Sequence, residues 1–128
     1  MGVKGFGKAY FFGEIKEIII FANMKSREET VKAISQTLKA LPDVTVYLFG
    51  SSARGDYRED SDIDLLILMP DYLNSRERVD LETQICGLLF SIEMETELEI
   101  SPVMLQHKVW NQRKTPFTIN VTNDRILL

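Results

Sequence analysis

A chain of 128 residues, 45% apolar and 27% charged, has room for one domain around a single ordinary core, which excludes a disordered or fibrous protein. A net charge of −4 argues against a general nucleic-acid binder, and no apolar run approaches the roughly 20 residues that a membrane span needs. A single cysteine, Cys86, and a single histidine, His107, exclude an internal disulfide and a zinc cluster and fit a reducing, cytoplasmic setting.

Residues 1–23 are rich in glycine and aromatics and end in an apolar run, Ile18 to Phe21. That run is too short for a signal peptide, and Glu14 and Glu17 interrupt the approach to it. The segment reads either as an N-terminal extension to a domain spanning 24–128, or as a strand over Ile15 to Phe21 that adds to a sheet edge or a partner. From Ser26 the pattern becomes helical. Ser26-Arg27-Glu28-Glu29 has the Ser-x-x-Glu form of a capping box. Val31, Ile34, Leu38 and Leu41 then share one face, and Pro42-Asp43 ends the helix. That stripe is expected to pack on the core and to carry no chemistry.

Val44 to Phe49 is β-branched and aromatic, hence a strand. Gly50 lets the backbone turn sharply and approach a ligand. Ser51 to Arg54 begins a short helix, whose free amides and Ser51 hydroxyl suit a phosphate. Ser52 and Arg54 are further candidate contacts, and Arg54 can instead pair with Asp56 or Glu59. Gly55 to Ser61 is a polar, solvated loop. Asp62-Ile63-Asp64 then opens the apolar run Leu65 to Leu68, which reads as a strand buried on both faces. Side chains alternate along a strand, so both carboxylates point the same way. Two like charges on one face repel unless a cation lies between them, and all-oxygen ligands favour Mg²⁺ or Mn²⁺ over Zn²⁺.

After Pro70-Asp71, a helix over Ser75 to Ile92 is expected, with Ser75 as its N-cap. Leu81, Ile85, Leu88, Leu89 and Ile92 trace its apolar face. Cys86 lies beside that stripe and reads as a small core residue. Glu97 to Leu105 alternates as a strand, with Glu97, Glu99 and Ser101 on one face. Pro102 places this strand at an edge. A short helix over Gln106 to Gln112, a basic cluster of Lys108, Arg113 and Lys114, and a second helix started by Thr115-Pro116 complete the pattern. The apolar tail Ile126-Leu127-Leu128 is expected to dock on the body or on a partner.

Gly50-Ser51, ten intervening residues and then Asp62-x-Asp64, within the strings GSSARG and SDIDL, resembles the signature of the DNA polymerase β-like nucleotidyltransferases, in particular their minimal branch. The resemblance implies an α/β fold, a small mixed β-sheet with helices packed on it. It implies an enzyme that transfers AMP from ATP with Mg²⁺ or Mn²⁺. Asp62 and Asp64 would be catalytic and hold the metal, while Gly50, Ser51, Ser52 and Arg54 would hold the nucleotide. That superfamily usually carries a third carboxylate on the strand after the crossover helix. Glu99 is the candidate here, with Glu97 behind it. The alternative puts Ser101 at the aligned position, which would remove the third carboxylate. The minimal branch further implies a HEPN-type protein as partner and AMP acceptor, with this chain as the antitoxin of the pair. A small-molecule transferase of the aminoglycoside type, with its acceptor pocket at a homo-oligomer interface, and a non-catalytic partner-binding module remain as alternatives.

Overall fold

The computed structural model describes residues 26–128. The readings of 1–23, an extension or a strand over 15–21, lie outside the described residues. The strand that opens with the acidic pair is the axis of the fold. Ile63–Met69, labelled β2, runs antiparallel to β1 (Thr45–Phe49) and parallel to β3 (Ile100–Gln106). The described residues form one sheet in the order β3-β2-β1-β4, where β4 is the short Ile126–Leu127. Parallel neighbours need a crossover, and the long helix α3 (Ser75–Thr96) supplies it. The remaining helices are α1 (Arg27–Lys39), α2 (Ser51–Arg54), α4 (His107–Gln112) and α5 (Pro116–Asp124).

Alternation along β2 divides its side chains between two cores. Ile63, Leu65 and Ile67 join Val46, Leu48 and Ile100, and meet Ile34 and Leu38 of α1 and Ile85, Leu89 and Ile92 of α3. Leu66 and Leu68 point the other way, against Trp110 of α4 and Val121 of α5. Burying each such aliphatic side chain contributes about 1.5–3 kcal/mol, so β2 is held tightly from both sides. Asp64 belongs to the second face, at the end where the helical cover runs out.

The helix starts follow local chemistry. Ser26 Oγ accepts from the Glu29 amide while Glu29 Oε1 accepts from the Ser26 amide, the expected reciprocal box. Thr115 caps α5 with Pro116 in its first turn. The expected Ser75 cap is displaced by one residue. Asn74 caps α3, because Asn74 Oδ1 accepts from the Glu77 amide and Glu77 answers with its own carboxylate. At its far end α3 runs past Ile92 to Thr96, and Glu97 adopts a left-handed conformation (φ 60°) that ends it. The expected strand from Glu97 is therefore three residues shorter at its start. The Glu97 amide still bonds the Glu93 carbonyl, and pairing begins only at Ile100. Cys86 is also corrected: it is exposed on α3 and is not part of the core. Pro102 does lie on an outer strand of the described sheet, opposite Leu65. The C-terminal tail docks through its backbone, with Ile126 opposite Leu48 and the Leu128 amide donating to the Val46 carbonyl.

This packing predicts a strong asymmetry between strands. Leu65→Ala, at a fully buried position, should lower stability by about 2–5 kcal/mol. Leu127→Ala, on exposed β4, should cost within about 0.5 kcal/mol. Urea unfolding of the two variants checks both values.

Candidate nucleotide and metal site

The site is built where β1 ends and β2 begins. In the antiparallel register Phe49 lies opposite Asp64, so the turn that follows Phe49 falls directly beside the carboxylates. Gly50 takes φ 72° and ψ −154°, a conformation open essentially to glycine alone. A second constraint acts at the same residue: a Cβ built on Gly50 would overlap Asp64 Oδ2. The backbone of the turn and the Asp64 carboxylate are thus in direct contact.

From Gly50 the chain enters α2. The Ala53 and Arg54 amides both donate to the Gly50 carbonyl, at 3.1 and 3.0 Å. The amides of Ser51 and Ser52, in the first turn, have no partner within the helix. Gly55, at φ 88°, closes α2 in the left-handed region. Arg54 is near enough to Asp64 for its charge to act on that carboxyl, but its hydrogen bonds go to two other carboxylates. Its Nη1 donates to Asp124 Oδ2 at 2.8 Å and its Nε to Asp56 Oδ2 at 3.2 Å. Of the two pairings expected from the sequence, that with Asp56 forms, and Asp124 at the end of α5 takes the other side of the guanidinium.

Asp62 and Asp64 sit two residues apart on one face, both partly buried. Ser101, opposite Asp64 on β3, donates its hydroxyl to Asp62 Oδ2 at 2.7 Å. The Asp64 carboxyl is pushed above its ordinary value, first by burial and then by the neighbouring Asp62 charge, while Arg54 pulls it down. A raised carboxyl beside a second carboxylate, both offering oxygen ligands, fits a hard divalent cation. The sequence expectation of a third carboxylate on β3 is corrected. Glu97 and Glu99 both precede the strand and are exposed, Ser101 stands opposite Asp64, and among the described residues no three His, Cys, Asp or Glu side chains gather closely enough to share a metal. Glu99 contributes its backbone, accepting from the Ile63 amide at 2.8 Å.

Ser101 on Asp62 is the residue that the sequence offers in place of a third carboxylate, while two partners escape a reading of the sequence: Asp124 on Arg54, and Arg27 of α1, which bonds Ser52 Oγ at 3.0 Å. The signal for Ser101 was its alternation with Glu97 and Glu99. For the other two, separations of 70 and 25 residues leave no local pattern.

Comparison with known proteins covers most of the described residues. The model of the nucleotidyltransferase domain family matches residues 27–114. A protein of Methanocaldococcus jannaschii, provisionally named a protein adenylyltransferase, is 35% identical over 96 residues, covering 75% of this chain and 88% of the relative. The solved structure of a provisionally named minimal nucleotidyltransferase is similar at 25% identity with a TM-score of 0.51, covering 78% of this chain and 94% of its own. A chain of a toxin–antitoxin complex with AMP-PNP is similar at 21% identity with a TM-score of 0.46, covering 80% of this chain and 72% of its own.

Two outcomes follow from the geometry. Gly50→Ala should destabilise by about 1–3 kcal/mol from backbone strain alone, with a further cost from Asp64. That further cost should vanish in an Asp64→Ala background, which a double-mutant cycle by chemical denaturation measures. The raised Asp64 group sets a pH dependence in metal-free buffer. Its folded-state value lies above the unfolded one, so its contribution is fully present below about 3.8 and is lost as pH rises through the raised folded value. The thermal midpoint of wild type should therefore fall relative to that of Asp64→Asn as pH climbs from the ordinary carboxylate value.

Proposed function

The chain belongs to the nucleotidyltransferase domain family, and on that premise we propose that it transfers AMP from ATP to a protein acceptor, with Asp62 and Asp64 holding a divalent metal and the Gly50–Ser52 turn holding the triphosphate. The observation that carries this reading is the contact between Gly50 and the Asp64 carboxylate. It brings a phosphate-sized turn and a cation-demanding pair within one ligand's reach. Bound Mg²⁺ would neutralise the triphosphate and polarise the phosphorus under attack.

The chain's own residues divide the remaining work. The Ser51 and Ser52 amides and hydroxyls can donate to phosphate oxygens. Arg54 is held by Asp124 and Asp56 through Nη1 and Nε, which leaves Nη2 to donate to an anion. Ser101 orients Asp62 by donating to one oxygen and leaving the other for a metal. In the transfer itself an acceptor oxygen attacks the α-phosphorus, the bond to the pyrophosphate oxygen breaks, and pyrophosphate leaves. With a serine in place of a third carboxylate, the acceptor proton goes to solvent or to a group that the acceptor protein brings.

The acceptor in this reading is a HEPN-type protein, with this chain as its antitoxin in the cytoplasm. Support comes from the 35% identical relative named for protein adenylylation and from apolar side chains on α3, Val79, Phe90 and Met94, that are exposed among the described residues. No helix among the described residues is long and apolar enough to cross a membrane.

Calorimetric titration with ATP tests the site. Binding should require Mg²⁺ or Mn²⁺ and should weaken by about a hundredfold or more in Asp62→Ala/Asp64→Ala, the scale of several kcal/mol of lost metal interaction. Equal binding by the variant would overturn the assignment. Incubation with α-phosphate-labelled ATP and a HEPN-type protein should then place label on that protein, in wild type only.

A further inference from the structure

Arg27 is the first residue of α1, remote in sequence from the nucleotide motif, yet its side chain ends inside it. Nη1 donates to Ser52 Oγ at 3.0 Å. Nη2 donates to the carbonyl of Ser61 at 2.8 Å, and more weakly to those of Arg58 at 3.2 Å and Glu59 at 3.3 Å. The guanidinium carbon lies 4.5 Å from the centre of the Tyr57 ring, within cation–π range. One side chain therefore grips both ends of the connection. Ser52 follows the Gly50 turn directly, and Ser61 directly precedes Asp62.

Among the described residues the segment between has few other ties. Residues 54–60 are exposed; Arg54 bonds Asp56 and Asp124, the Gly55 amide donates to the Ser51 carbonyl, and in a short turn the Arg58 amide donates to Ser61 Oγ and the Ser61 amide to the Arg58 carbonyl. Fixing each such residue costs backbone entropy. A planar fork that meets several acceptors at once offsets part of that cost, and an ammonium group cannot reproduce it. Both Arg27 nitrogens that reach the motif donate to protein oxygens, so this side chain is part of the frame of the site.

We propose that Arg27 is a positioning residue that sets the distance between the phosphate turn and Asp62. The proposal rests on the nucleotidyl-transfer reading for its functional consequence, while the loop geometry stands apart from it. Hydrogen exchange of the full chain, in wild type, Arg27→Lys and Arg27→Ala, reads the loop directly. In Arg27→Ala the amides of 55–61 should exchange at least about tenfold faster, with those of β2 unchanged. Arg27→Lys keeps the charge and the stem but should restore less than half of the protection, which also covers the case in which the alanine variant folds poorly. In parallel, ATP affinity in the presence of Mg²⁺ should fall by about tenfold in Arg27→Ala. Unchanged loop exchange would overturn the proposal, as would uniformly faster exchange across α1 and β2, or a loosened loop that binds ATP as wild type does. Loop loosening in a protein whose wild type binds no nucleotide would uphold the positioning and overturn the transfer reading instead.

Discussion

The contact between Gly50 and Asp64 is the constraint on which the site depends. One strand delivers a turn, the next delivers a carboxylate, and the antiparallel register places them against each other with no room for a Cβ. The same residue needs a backbone conformation that only glycine adopts readily. Both demands at one position place the glycine turn against the acidic pair.

What keeps that geometry rigid is burial further along the same strands. β2 is enclosed on both faces, by α1 and α3 on one side and α4 and α5 on the other. Its acidic end emerges where the cover stops, so Asp62 and Asp64 are fixed by a core that they do not belong to. The pair itself works against the fold. Burial and the neighbouring Asp62 charge raise Asp64, and in the proposed metal-bound state a cation between the charges would offset that cost. The polar loop before Asp62 is the weak link in the frame, and Arg27 together with the Arg58–Ser61 turn closes it.

Much of this was legible in the sequence because it depends on local pattern. The apolar run of β2, the glycine turn, the two-residue spacing of the aspartates and the Ser26 capping box are each written within a few residues. The boundary of α3 was less legible, since Glu93, Met94 and Glu95 suit a helix as well as a loop, and the end is set by the left-handed Glu97. That shift takes Glu97 and Glu99 off β3 and leaves Ser101 facing the pair. Cys86 sits at the margin of the apolar stripe of α3, and a small rotation of the helix decides its exposure. Arg27 and Asp124 were out of reach, because their partners are brought to them by tertiary packing alone.

The most direct test of the central claim, that the strand ends form a cation-dependent acidic pair, is the thermal midpoint at neutral pH as Mg²⁺ is added, in wild type and in Asp62→Asn/Asp64→Asn. The account predicts that the metal-free variant melts above metal-free wild type, that Mg²⁺ raises the wild-type midpoint in proportion to site occupancy, and that the variant does not respond. A wild-type midpoint indifferent to Mg²⁺, or an equal rise in both proteins, would contradict it.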